Sequence, residues 1–251
     1  MTDAVLLEVE DSIAKVTINR PNQRNAINHD VCEGMRDAFD RIESDDAIRV
    51  AILTGAGGMF CAGMDLKAFA DGDAERILFG EFGFGGFVKR RRTKPVIAAV
   101  EGAALAGGFE FMLACDLVVA ATDAKFGLPE AKLGLIAGAG GAMRLAQRIP
   151  RVRANEILLT GKPFNAATAM ELGLLNEIVP QAKVMERALS LAASIAENAP
   201  MSVATSLELA DSAIRMIENW DLNDQKLREI IDTADSLEGA RAFVEKRRPA
   251  R

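Results

Sequence analysis

The stretch Val96–Glu130, VIAAVEGAALAGGFEFMLACDLVVAATDAKFGLPE, constrains the chain most. Val96–Val100 is short, apolar and valine/isoleucine-rich, which suits a strand buried on both faces. Gly102 and then Gly107-Gly108 break it. Phe109–Ala114 reads as a short helix, and Cys115–Ala121 as a second strand. Two glutamates, Glu110 and Glu130, stand at the ends of apolar segments, where a carboxylate is costly unless it has a partner or a task. The two carboxylates and the Gly107 amide are therefore expected to form one active site.

The flanking sequence extends this pattern. Val5–Val9 and Ile13–Ile18 alternate around Glu10-Asp11-Ser12 and predict a hairpin. Asn28 or Asp30 caps a helix over about Val31–Ile42, with Val31, Met35, Ala38, Phe39 and Ile42 at helical spacing. Val50–Thr54 is an apolar strand, and Phe60–Lys67 leads into a helix. The segment Asp71–Gly86, together with Phe87, carries five glycines and four phenylalanines. It reads as a loop or irregular helix whose aromatics either close over an apolar ligand or pack in the core. A helix is expected from Gly86 to Thr93. Beyond the central stretch come a glycine loop at Gly134–Gly141 and helices at Met143–Arg148 and Arg153–Leu159. Asn165 caps Ala166–Leu172, and Leu175–Val179 is a last strand. Helices then cover Lys183–Asn198, Met201–Ile217, Leu222–Ala234 and Leu237–Lys246. Strands alternating with helices, followed by a helical tail, make the fold class α/β.

Composition excludes several functions. A net charge of -6 argues against a nucleic-acid footprint. The local cluster Lys89-Arg90-Arg91-Arg92, with Lys94, reads as a solvated helix end. No apolar run approaches a membrane span, and Met1–Asp11 holds four acids where a leader needs basic residues. Cys32, Cys61 and Cys115 are odd in number and far apart, unlike a disulfide framework or a zinc site, and fit a reducing cytoplasm. His29, the single histidine, reads as a helix-start residue and cannot build a multi-histidine metal site.

Motifs narrow the chemistry further. Gly55-Ala56-Gly57-Gly58 follows a strand, but Phe60 occupies the sixth position of GxGxxG, so the nicotinamide-binding fingerprint fails. There is no GxxxxGK[ST] and no GxSxG, and no serine lies between Ser44 and Ser190. Cys61 and Cys115 sit in apolar runs and read as packing. What remains is backbone and carboxylates. Gly107-Gly108 before a helix lets main-chain N–H groups face a ligand. Cys61-Ala62-Gly63-Met64 offers a second such amide, and two converging amides make an oxyanion hole.

The chain resembles the crotonase superfamily, the enoyl-CoA hydratase/isomerase family, over essentially its whole length. The matching pieces are Asn19-Arg20-Pro21, Asn25-Ala26, Phe60-Cys61-Ala62-Gly63-Met64-Asp65-Leu66-Lys67, Ala106-Gly107-Gly108-Phe109-Glu110, Cys115-Asp116, Phe126-Gly127-Leu128-Pro129-Glu130, Gly138-Ala139-Gly140-Gly141 and the tail from Ala242 to Pro249. Gly107–Glu110, Leu128–Gly134 and Phe82–Phe87 look particularly like the carnitinyl-CoA dehydratase branch.

The resemblance implies a ββα spiral core over residues 1–195 and a helical trimerisation region over 196–251, with trimers that pair into hexamers. It implies an acyl-CoA thioester as substrate, its oxygen held by the amides of Met64 and Gly107. Glu110 is expected to activate water and Glu130 to move a proton at C2. CoA is expected near Ala26, Ala62, Asp65, Leu66 and Lys67, and near Phe243 and Lys246 of a neighbouring subunit's tail. No metal or separate cofactor is expected. Ala106 stands where the family often has glycine, with little expected effect, and Met64 stands where alanine is commoner. The favoured activity is reversible hydration of 2-enoyl-CoA. The alternatives are enoyl-CoA isomerisation, carnitinyl-CoA-type dehydration and non-catalytic acyl-CoA binding. Neither the acyl group nor the subunit number is legible.

Overall fold

The computed structural model describes residues 3–215 and 219–248. Its main sheet contains β1 (Val5–Glu10), β2 (Ile13–Ile18), β3 (Val50–Gly55), β4 (Val96–Val100), β6 (Leu117–Ala121) and β9 (Glu177–Val179), in the order β1-β2-β3-β4-β6-β9. A second sheet has the order β5-β7-β8, from Ala103–Leu105, Lys125–Gly127 and Phe164–Asn165. β1 and β2 pair antiparallel through a tight turn at Asp11 and Ser12, both at positive φ. The remaining pairs of the main sheet are parallel. Every residue of β4 is buried, as its continuous apolar sequence requires.

The chain passes repeatedly from one sheet to the other. β4 lies in the large sheet; at Gly102, φ +62, the chain turns into β5 of the small sheet and then enters the helix Gly107–Ala114. β6 and β7 repeat the step and lead into the 3-10 helix Glu130–Leu133. The expected ββα spiral is this repetition. The short strands β5, β7 and β8 are absent from the periodicity reading, because two or three residues carry no period.

The helices used below are α1 (His29–Ser44), α2 (Gly107–Ala114), α3 (Gly141–Arg148), α4 (Arg151–Thr160), α5 (Ala166–Glu171), α6 (Val184–Ala196), α7 (Pro200–Arg215), α8 (Trp220–Ile231) and α9 (Ala234–Val244). Asn28 caps α1 by accepting from the Val31 amide at 3.1 Å, and Val31, Met35, Ala38, Phe39 and Ile42 are all buried. Residues 216 and 217, at the end of the helix expected over Met201–Ile217, lie outside the described residues, as does Pro249. α8 and α9 fold back onto the core. Asn223 Nδ2 donates to the Gly138 carbonyl at 2.7 Å, and a Cβ at Gly239 would lie 2.0 Å from the Leu133 carbonyl oxygen.

The helix expected over Gly86–Thr93 does not form. Gly85 and Gly86 take positive φ, and the chain runs on as turns toward Pro95. Its basic side chains reach different elements instead. Arg90 pairs with Asp40 at 2.7 Å, Lys94 donates to the Asp45 carbonyl at 2.6 Å, and Lys89 pairs with Asp224. Arg92 forms a two-pronged bond to Asp116 at 2.7 and 3.1 Å.

Asp116 also accepts from the Val96 amide at 2.7 Å, so one carboxylate fixes the starts of both β4 and β6. Its side chain and that of Arg92 are only 15% and 8% exposed. Asp116→Ala strands a buried guanidinium. We expect it to lower unfolding stability by about 3 kcal/mol, read as a lower urea midpoint at unchanged slope.

Candidate active site

Register assembles the site. Ala104 of β5 pairs with Phe126 of β7, and Cys61 bridges Ala104 in parallel on the other side. Three parallel segments therefore stand side by side and leave at the same end. Three residues past Cys61 is Met64, three past Ala104 is Gly107, and four past Phe126 is Glu130. Segments up to 65 residues apart in sequence converge because they share one row of the ladder.

The Gly107 amide is exposed by the backbone geometry of Ala106. The Ala106 carbonyl accepts from Phe109 at 2.9 Å and Glu110 at 3.0 Å, which points it into α2. The N–H of the same trans peptide, that of Gly107, therefore faces away from the helix. Ala106 itself adopts φ +50, ψ −128, a region that disfavours a side chain and costs on the order of 1–3 kcal/mol. The side chain at 106 thus sits on a strained backbone whose peptide orients the Gly107 amide. Gly107 has no room for a side chain, since a Cβ would lie 2.4 Å from the Phe84 ring.

Met64 presents its amide from the opposite side. Ile27 donates to the Gly63 carbonyl at 2.8 Å and accepts from the Asp65 amide at 2.8 Å. Backbone alternation along the segment then turns the Met64 N–H away from Ile27. Gly63, at φ +99, sits against this turn, and a Cβ there would fall 3.0 Å from the Gly107 nitrogen. The two loops are in van der Waals contact.

Both glutamates are buried, at 4% exposure for Glu110 and 8% for Glu130. Glu110 Oε1 accepts from the Gly141 amide at 2.8 Å. Burial pushes its carboxyl up to about 7, while the amides of Gly141 and Ala139 and the charge of Arg144 pull it down. Glu130 follows Pro129 at the head of its 3-10 helix. Neither of its oxygens has a hydrogen-bond partner among the described residues. Burial, and then the Glu110 charge, raise its carboxyl well above the ordinary range. The two acids sense one another and are held differently.

The remaining expected contacts fall as follows. Ala26 and Ala62 are half-buried and lie on loops tied together by the Ala62 amide to the Arg24 carbonyl at 3.0 Å. Both oxygens of Asp65 are engaged within the chain, Oδ1 by the Lys67 and Ala68 amides and Oδ2 by Arg20 at 3.0 Å. Leu66 is half-buried and Lys67 exposed. Phe243 is exposed at the end of α9, followed by Lys246 at φ +53. α9 packs through Gly239 on Leu133, in the element that carries Glu130. Phe84 and Phe87 are core residues: Phe84 packs edge-on to Phe111 at 5.4 Å, and Phe87 meets Phe39 at 4.8 Å. Phe82 lies beneath the Arg90 guanidinium. His29 begins α1 as expected and faces Glu33. The three cysteines are free and buried, and burial pushes each thiol up to about 12, which leaves them inert as nucleophiles. No metal-binding cluster occurs among the described residues. No described helix is long and apolar enough to cross a membrane.

The sequence reading missed the anchoring role of Gly141 and the engagement of Arg20 with this site. Gly138–Gly141 and Asn19-Arg20-Pro21 were both visible as motifs, but nothing in their spacing points to Glu110 or Asp65.

Comparison with known proteins agrees with this architecture. The profile of the enoyl-CoA hydratase/isomerase family matches residues 8–250, and the chain belongs to that family. Its fold is the α/β crotonase fold. Among curated relatives, it is 39% identical to a carnitinyl-CoA dehydratase of Proteus mirabilis, covering 99% of this chain and 98% of that one. It is 43% identical to the enoyl-CoA hydratase EchA19 of Mycobacterium tuberculosis, covering 93% and 91%. Among solved structures, a carnitinyl-CoA hydratase from Mycobacterium avium superposes with a TM-score of 0.93 at 43% identity, covering 100% and 99%.

Because the raised Glu130 carboxyl penalises the ionised form only in the folded chain, its cost is absent below the ordinary carboxylate range and grows as pH rises toward the raised value. We expect Glu130→Gln to unfold at a higher temperature than wild type at pH 8, by roughly 2 °C or more. The difference should close toward pH 4, as scanning calorimetry at both pH values checks.

Proposed function

We propose that this chain is an enoyl-CoA hydratase, adding water reversibly across the 2,3 double bond of a 2-enoyl-CoA thioester. The observation that carries the reading is the buried pair Glu110 and Glu130, the charge of the first raising the carboxyl of the second, together with the close packing of the Gly63 and Gly107 loops. The Met64 and Gly107 amides accept the thioester oxygen, which makes C3 electrophilic and stabilises the enolate that follows. Glu110, with one oxygen fixed by Gly141, orients a water and takes its proton as the new C3–O bond forms. Glu130, the acid with the more strongly opposed ionisation, gives its proton to C2 as the enolate collapses. One water proton resides on Glu110 after turnover and returns to Glu130, so the sum is one water added. Dehydration of a 3-hydroxyacyl-CoA runs the same steps backward.

Ala26, Ala62, Leu66 and Lys67 are proposed to border the CoA, with Phe243 and Lys246 of a neighbouring subunit's tail along it. The acyl group remains open between simple enoyl and carnitinyl chains, since relatives of both names match at similar identity. Isomerisation by Glu130 alone is the alternative, and Glu110 argues against it because moving a double bond needs no activated water. Homotrimers, or pairs of them, are proposed as the assembly. Val152 and Leu159 on α4 and Met201 on α7, 75%, 78% and 82% exposed, are apolar side chains that such an interface would cover.

With crotonyl-CoA, the conjugated thioester absorbance should fall in the presence of wild type. Glu110→Gln and Glu130→Gln should each lower kcat by about 10²–10⁴-fold while CoA-ester binding persists. Absence of hydration at every chain length, with conversion of 3-enoyl to 2-enoyl thioesters, would establish the isomerase instead.

A further inference from the structure

We propose that Arg20 is a positioning residue for the Met64 oxyanion donor, acting through Asp65 and Ala26. The proposal rests on the hydratase reading above. Arg20 Nη1 is shared between Asp65 Oδ2, at 3.0 Å, and the Ala26 carbonyl. These two residues bracket the Met64 peptide from both sides. Asp65 follows Met64 directly, and its other oxygen caps the departing turn by accepting from the Lys67 amide at 3.1 Å and the Ala68 amide at 3.3 Å. Ala26 precedes Ile27, which bonds Gly63 before Met64 and Asp65 after it. One guanidinium nitrogen therefore closes a ring of contacts around a single amide.

Arg20 is itself anchored. Its backbone amide donates to Asn25 Oδ1 at 2.9 Å, and Asn25, fully buried, donates from Nδ2 to the Ala56 carbonyl at 2.9 Å. The Arg20 and Asp65 side chains are each 17% exposed, so water screens the pair only partly. A hydrogen bond weakens steeply as its donor turns off line. An amide on a loop is therefore an effective oxyanion donor only when that loop is pinned on both sides. Charge matters here beyond shape: a cation must satisfy a carboxylate and a carbonyl at once.

Arg20→Gln tests this, because it removes the charge and keeps an N–H for Ala26. The readout is the infrared band of butyryl-CoA labelled with 13C at the thioester carbonyl, which moves to lower frequency when the oxygen is polarised. In wild type the band should shift down on binding. In Arg20→Gln about half or more of that shift should be lost, and kcat for crotonyl-CoA hydration should fall about tenfold or more. The butyryl-CoA Kd should change by less than about threefold, and Arg20→Lys should recover most of both losses. An unchanged band with unchanged kcat, or weakened binding with an unchanged band, overturns the role of Arg20. Should Arg20→Gln fail to fold, Asp65→Asn decides by the same measurements, since it drops the charge and keeps an oxygen for the Lys67 and Ala68 amides. A wild-type band that does not move on binding removes the oxyanion hole from the hydratase reading, and Arg20 with it. A wild-type shift that Arg20→Gln retains removes Arg20 alone.

Discussion

Everything at the site depends on how closely three parallel segments approach at Cys61, Ala104 and Phe126. The approach is near the limit that backbone allows. A Cβ at Gly108 would lie 2.2 Å from the Cys61 carbonyl oxygen, and one at Gly63 would lie 2.7 Å from the Ala106 Cβ. Glycine at these positions is a packing requirement first. The exposed amides are its consequence, because segments this close have no side chains between them and the ligand. Ala106 shows the tension in that arrangement. It holds a glycine-type backbone with a side chain attached, and it is kept there by its amide, which donates to the Gly127 carbonyl, and by its carbonyl, which accepts from Phe109 and Glu110.

The two acids are buried by similar means and supported differently. Glu110 lies against Gly141, where a Cβ would approach its Cγ to 2.8 Å, and one of its oxygens is fixed. Glu130 is fixed through its backbone, whose carbonyl accepts from Leu135 at 3.0 Å, while its carboxyl oxygens have no partner among the described residues. Both supports reach the C-terminal helices. Asn223 of α8 holds Gly138, in the loop that leads to Gly141, and Gly239 of α9 packs on Leu133, three residues after Glu130. The helical tail thus supports the segments around the two glutamates from outside the spiral.

The long elements were legible because burial imposes period. The five apolar positions of α1 and the run of β4 translate directly into buried faces. The glutamates were legible because a carboxylate inside an apolar stretch demands a reason. What stayed hidden was held by long-range register. No local pattern in Ala103–Leu105 or Lys125–Gly127 announces a sheet, yet their pairing brings Gly107 and Glu130 together. The basic run at 89–94 misled for a related reason. Its spacing suits a helix end, but Arg90, Arg92 and Lys94 each answer to an acceptor more than twenty residues away, and Gly85 and Gly86 release the chain to meet them. The phenylalanines near it look like a ligand clamp in sequence and are, at Phe84 and Phe87, core.

The asymmetry of the acids bears directly on the kind of reaction the site favours. A double-bond shift needs one group that removes and returns a proton, and an unpartnered, high-pKa carboxyl such as Glu130 suffices for it. Burying a second carboxyl nearby then carries only a cost, since each charge opposes the other. That cost is sensible when a second proton must be handled in the same event. Burial raises the Glu110 carboxyl to about 7 against the pull of the Gly141 and Ala139 amides, where it both accepts and releases a proton, and the Gly141 bond fixes one of its oxygens. Two acids set apart in this way match the addition of water, with its one proton taken and one given, better than a single proton carried across one face.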